Sequence, residues 1–344
     1  MKRALPLLFL TGCLYTQYVA QAANGELDLL GRARPIDQVV RDPDTPLRTA
    51  MLLAEIPAIK QYGRSYGLTI RDNYRTYSSL GRPAAVWFVG ASDPVKFEPR
   101  PWCFPIVGCF PGLGWFDEDE AVKFKLEMDA QGYDAIVRPA SAFSTGGWFP
   151  DPVLSTMLGG GDDALPELAN VILHESVHAT VLVPDEQFFN ESFASYVADA
   201  LTDNWIAIRF GPGSPEDVAW TLGQALHLPR VARTLATYKA LKAVYDDTKK
   251  TRAEKLAEKA KIIDELVADL HLRKRPNNAS LTEARLYNGG APALHKAHHE
   301  CGDLRSLVLA AKTLRRSDFK KSMQDDLTDI GVLLGQRCRQ KLGH

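Results

Sequence analysis

The sequence predicts an α+β fold in which helices predominate. Most of the chain spaces its apolar residues three and four apart, and from Pro215 to Leu272 that pattern is almost continuous. Only two short apolar runs, "AAVWFVGAS" (84–92) and "YDAIVRPASAF" (133–143), read as strands. The expected arrangement is a modest sheet from those strands packed on a buried helix near 166–181. A helical C-terminal lobe follows, with a cleft between the lobes.

Residues 14–63 read as largely helical. The stretch 100–116, "RPWCFPIVGCFPGLGWF", crowds prolines, glycines and aromatics together and reads as an ordered, crosslinked loop. "DEDEAVKFKLEMDAQG" (117–132) is a helix with acidic residues in its first turn and Gly132 at its end. A turn-rich stretch (144–163) feeds the helix at 166–181, and a second helix spans 186–205. The long pattern after Pro215 predicts two antiparallel helices broken near 246–251, the second carrying a mixed-charge solvated face. A helix starting at Asn277 to Ser280 stops at a Gly-Gly pair, and two helices, 292–314 and 316–341, close the chain.

The 344 residues are 45% hydrophobic and carry a formal net charge of -1. A core of ordinary size is therefore available, and no global field draws the chain to nucleic acid or an anionic membrane surface. No apolar stretch is long enough to span a bilayer as a helix. The start, "MKRALPLLFLTGCLYTQ", has a basic tip, a short apolar core and Gly12-Cys13, the layout of an export signal. Its ending resembles a bacterial lipobox, so residues 1–12 are expected to be a signal peptide and Cys13 the lipidated, membrane-attached first residue. Leu14 after the cysteine, rather than Asp, points to the outer membrane, with the protein facing the periplasm. Four further cysteines, Cys103, Cys109, Cys301 and Cys338, make an even number for an oxidising compartment. Three pairings are possible; proximity favours Cys103–Cys109, leaving Cys301–Cys338. Residues 13–214 are expected to form the catalytic lobe and 215–344 the helical C-terminal lobe.

The chemistry concentrates in "VILHESVHAT" (171–180). On a helix His174 and His178 lie one turn apart on one face, so both imidazoles can point at one ion. Glu175 projects to the open side, where it can take a proton from water. Two histidines are half a zinc site. The third ligand is sought in "NESFASYVAD" (190–199), where a short turn lets a second helix pack antiparallel and set Glu191 opposite the histidines. Two histidines and a glutamate with an open position form a catalytic zinc shell, whereas structural sites are closed and rich in cysteine. The competing reading makes Glu191 an N-terminal helix carboxylate. A downstream histidine of the kind that completes a metzincin site is absent, and "HKAHHE" (295–300) reads as an exposed helix face. Asp199, eight residues after Glu191, could orient a ligand histidine, with Asn190 beside the ligand.

"HESVH" with "NESFA" resembles the glutamate-zincin superfamily. More specifically, "LTGCLYTQYVAQAANGELDLL", "RPWCFPIVGCFPGLGWFDEDEA", "STGGWFPDPVLSTML", "FNESFASYVAD" and "NNASLTEARLYNGGAPAL" resemble the family of bacterial zinc aminopeptidase lipoproteins. The resemblance covers nearly the whole mature chain. It implies a zincin-like metallopeptidase fold and one Zn2+ held by His174, His178 and Glu191. It further implies Glu175 as general base and peptides as substrate. By the same analogy Tyr287 is a candidate oxyanion donor. Gly146, Gly147 and Trp148 sit where zincins hold substrate backbone, although a rigid turn accounts for them equally well. The spacing from His178 to Glu191, with 12 residues between, is shorter than in thermolysin or the aminopeptidase N-type enzymes. The Gly-x-Met-x-Asn recognition sequence of the latter is absent. The expectation is thus a zinc peptidase of the envelope, an aminopeptidase by resemblance. The alternative is a non-hydrolytic envelope lipoprotein that uses the fold to bind or assemble partners.

Overall fold

The computed structural model describes residues 6–104, 108–143 and 150–342, with the backbone course alone for 6–14, 108 and 341–342. Helices predominate, and the strands form three small sheets. The N-terminal helices are α1 (Pro6–Gly31), α2 (Ile36–Arg41) and α3 (Leu47–Ser65). The main sheet joins β3 (Val86–Ser92) in the centre to β6 (Gly112–Trp115) and β7 (Asp134–Ala140), all antiparallel. Before β3, β1 (Arg34–Pro35) pairs with β2 (Thr76–Ser78); between β3 and β6, β4 (Trp102–Phe104) pairs with β5 (Gly108–Phe110). A last short strand, β8 (Val153–Leu154), lies parallel to β2.

Strand β3 is buried almost throughout because both of its faces are covered. Trp87 and Val89 join Leu113 and Trp115 in a core with Phe124 and Met128 of α4 (Glu118–Ala130). Phe88, on the other face, lies opposite Arg138, whose guanidinium sits 4.9 Å from the Phe88 ring centre. Here the structure corrects the expected layering. The sheet packs on α4 and on α9 (Asn278–Asn288), whereas the helix bearing both histidines, α5 (Ala164–His178), packs on α6 (Gln187–Arg209) and α3. The reason is the apolar girth of α5: Leu168, Ala169, Ile172, Leu173 and Val177 are all inaccessible to solvent, and helices supply the surfaces that cover them.

Two further expectations are revised. Within the stretch 100–116, Cys103–Cys109 forms the expected crosslink, but the described residues make strands β4, β5 and β6 rather than a loop. The C-terminal end holds three helices, α10 (Ala291–Cys301), α11 (Leu304–Ala311) and α12 (Thr328–Leu342). Gly302, at φ 79°, ends α10, and the Asp303 side chain then caps α11 by accepting the Ser306 N–H. The Cys301–Cys338 disulfide ties α10 to α12. The long helices α7 (Pro215–Asp246) and α8 (Arg252–Leu270) break where expected, and Thr251 with Glu254 forms a capping box at the new start. One core runs from Leu29 to Cys338, so the C-terminal helices share it with α3, α5 and α6.

Candidate metal centre

Helix α5 ends at His178, and the chain reverses over residues 179–186 before α6 begins. Three side chains hold this turn. The Asn190 side chain accepts the Val183 N–H at 2.9 Å and donates to the Val183 carbonyl at 2.8 Å. Thr180 accepts the Thr69 N–H at 2.7 Å, which ties the turn to the loop after α3. Glu186, fully buried, accepts the Gln324 N–H at 3.0 Å and pairs with Arg316 at 3.3 Å. Small residues Ala194 and Ala198, both fully buried, let α6 lie close against α5. Glu191, adjacent to the clamped Asn190, is thereby set opposite the histidines. Asn190→Ala orphans the buried Val183 N–H and should cost about 1–3 kcal/mol. Loosening of Glu191 should accompany it, so metal affinity measured by chelator competition should fall together with the unfolding midpoint.

Three ligand-type atoms converge: Nε2 of His174 and of His178 lie 3.1 Å apart, and Oε2 of Glu191 lies 3.5 and 3.4 Å from them. A tetrahedral ion with bonds of about 2.0–2.1 Å separates its ligand atoms by roughly 3.3–3.4 Å, so the triangle fits such an ion. The residues could therefore hold a metal ion, and among the described residues they are the one group of this kind. The charges agree with that fit. Burial opposes a charged imidazole at His178, but the Glu191 carboxylate outweighs it and lifts the group to about 9. Burial likewise opposes ionisation of Glu191, and the two histidines overcome it, holding the carboxyl well below its usual range. Two imidazole nitrogens facing one carboxylate oxygen form a pocket for a cation.

Tyr287, at the end of α9, reaches this group: its ring stacks on His174 with centres 6.1 Å apart. Burial and the nearby Glu191 raise its hydroxyl above the ordinary tyrosine range, so it stays protonated and can donate. The sequence "NES" explains its placement. Ser192, beside Glu191, donates to the Leu286 carbonyl at 2.6 Å and accepts the Gly290 N–H at 3.1 Å, locking the end of α9 onto α6. Gly290 is needed there, since a Cβ would come within 2.7 Å of the Ser192 Cβ.

With that geometry in view, comparison with known families is decisive for the chain as a whole. The family described as "Putative aminopeptidase" matches residues 17–325. The chain belongs to this family. No curated protein and no solved structure matches it.

In this aminopeptidase-family chain, side chains beyond those expected also crowd the centre. Asn277 and Asn278 anchor the start of α9 on the sheet, bonding the carbonyls of Ala135 at 2.9 Å and Asp93 at 2.8 Å. One turn before Tyr287, Glu283 then pairs with Arg138 of β7. The Arg138 charge also acts on Tyr287, and the Glu191 charge acts on Glu283, whose carboxyl burial raises. The i, i+4 spacing of Glu283 and Tyr287 was a readable signal. Tyr74 carried none: it is buried, sits at φ 60°, and its N–H donates to the Asp151 carbonyl at 2.8 Å. Burial raises its hydroxyl, and the charge of Glu175 adds to the effect.

Asp199 lies beside the centre, but its hydrogen bond comes from Asn170 at 2.9 Å, and it acts on His174 through charge alone. The buried Nδ1 of His178 has no hydrogen-bond partner among the described residues. Of the "HKAHHE" histidines, His298 is engaged with the Tyr196 hydroxyl at 3.0 Å. Gly146, Gly147 and Trp148 lie outside the described residues, as does the Cys13 side chain.

Proposed function

We infer that the protein is a zinc-dependent peptidase of the bacterial envelope, an aminopeptidase, with a zincin-like catalytic unit. The observation that carries this reading is the triangle of His174, His178 and Glu191 ligand atoms with Glu175 beside it. Two nitrogens, one carboxylate oxygen and an open side are the donor set of catalytic zinc. The chemistry that bound zinc supplies in such a setting is Lewis-acid polarisation of a carbonyl and a lowered pKa for water. Glu175, which is not one of the converging ligand groups, accepts the proton of the attacking water and passes it to the leaving amine. Tyr287, held protonated and positioned by the Ser192 clamp on the end of α9, donates to the oxyanion as it develops. Tyr287→Phe should lower kcat about 10–1000-fold and leave KM and zinc content near wild type, as read by steady-state kinetics with metal analysis.

The family description supports cleavage at the amino end. Mass spectrometry of a mixed peptide library tests this directly: products shortened one residue at a time from the N-terminus are expected. Internal cuts alone would reassign the protein as an endopeptidase. The retained Glu175 favours an enzyme over a non-hydrolytic assembly factor.

Attachment to the outer membrane through lipid on Cys13 is part of the same reading. The closed Cys103–Cys109 and Cys301–Cys338 disulfides support an exported protein. In cells fed labelled fatty acid, the wild-type protein should take up label and partition with membranes. Cys13→Ser should do neither; label on the variant would place the lipid elsewhere.

A further inference from the structure

Away from the metal centre, α2, α3 and residues 71–75 line an open cavity of about 620 Å³. That size suits a small molecule. Its lining combines apolar residues, Ile36, Val40 and Pro57 over the buried Leu53 and Ile56, with the cations Lys60, Arg64 and Arg71. Lys60 is the unusual member. It is only 7% exposed, and its ammonium donates to the Asn73 carbonyl but forms no ion pair among the described residues. A buried ammonium with three donors and no anion is costly, and an arriving anion offsets that cost.

The neighbouring charges leave the position open. Asp72 and Asp37 also line the cavity, but Asp72 is engaged by Arg75 at 2.8 Å and Asp37 by Arg41. Arg64 spends two of its donors on the Ile70 carbonyl, at 3.2 and 2.9 Å. Arg71 has neither a hydrogen bond nor an ion pair among the described residues, and its side chain stands at the exposed edge of the cavity. Burial, with Arg64 and Arg75 close by, pushes the Lys60 ammonium down to about 8, in keeping with a cation that lacks a counter-charge.

We propose that this cavity binds a small amphiphilic carboxylate, its head group on Lys60 and Arg71 and its apolar body against Ile36, Val40 and Pro57. A carboxylate suits the site better than a phosphate, because Asp37 and Asp72 would repel a dianion more strongly. The guanidinium of Arg71 can grip both oxygens in a fork. Tyr74 also lines the cavity, and none of His174, His178 and Glu191 does, so the cavity is distinct from the metal centre. Two sources present this chemistry: a medium-chain fatty acid, and the C-terminus of a peptide ending in an apolar residue.

Isothermal titration of the full-length protein separates them, with decanoate and an N-acetylated peptide ending in Leu as probes. Decanol and the C-terminal amide of the same peptide serve as uncharged controls. One or both carboxylates should bind at a single site, and the controls should bind at least about tenfold more weakly. Arg71→Ala should weaken binding about tenfold, and Ala54→Trp, from an exposed lining position on α3, should abolish it by filling the cavity. Removing metal with a chelator should leave the affinity unchanged, which distinguishes this site from a carboxylate bound at the metal centre. The proposal is overturned if no carboxylate binds or if decanol binds as well. It also fails if both variants bind like wild type, or if binding disappears with the metal.

Discussion

Glu175→Gln is expected to keep a full complement of zinc while losing about 10²–10⁴-fold in kcat, the range that a positioned general base contributes. Glutamine preserves the shape of the side chain and cannot accept a proton. The converging ligand atoms belong to His174, His178 and Glu191, so the ion's surroundings stay intact. Substrate contacts stay as well, and KM should change little, which marks an interaction made in the transition state. The charge of Glu175 is also one of the influences on His178, Tyr74 and Tyr287. Steady-state kinetics on one cleaved peptide, with zinc measured on the same sample, checks both halves of the expectation. Equal loss of zinc and of activity would instead make Glu175 part of the metal's support.

Glu191→Ala should act on the other half of the site. It removes the only carboxylate of the three and leaves two imidazole nitrogens 3.1 Å apart. The loss of a charged ligand should weaken zinc binding by more than about 100-fold, beyond the 10- to 100-fold typical of supporting residues. Stability then provides a second readout. Metal that binds only the folded state stabilises it, by about 2.7 kcal/mol at one hundred times the dissociation constant. Added zinc should therefore raise the unfolding midpoint of the wild type and leave that of Glu191→Ala almost unmoved. A variant that still gains stability from zinc would mean that the ion is held elsewhere.

How much of this could be read from the chain follows from the range of each interaction. His174 and His178 were legible because helix geometry alone puts residues four apart on one face. Glu191 was legible because the short turn after "HESVHAT" leaves the second helix few places to go. The packing partner of α5 was not, since an apolar run says that it is covered but not by what. The paired strands 102–104 and 108–110 hid behind prolines and glycines that read as loop. Gly302 and Asp303 were a stop and a cap, and continuous helical spacing on either side masked them. Arg138 and Glu283 meet across 145 positions, a pairing that depends on the anchoring of α9 by Asn277 and Asn278. Tyr74 depends on a left-handed backbone that local sequence did not announce.

The account stands most directly on zinc dependence. The protein should be stripped with chelator, dialysed, and titrated with zinc while hydrolysis of a mixed peptide library is followed. Hydrolysis should be absent from the stripped protein, rise in proportion to added zinc, and level off at one equivalent per chain. Peptides that stay intact after a full equivalent has bound, or that are cut as fast without any zinc, would contradict it.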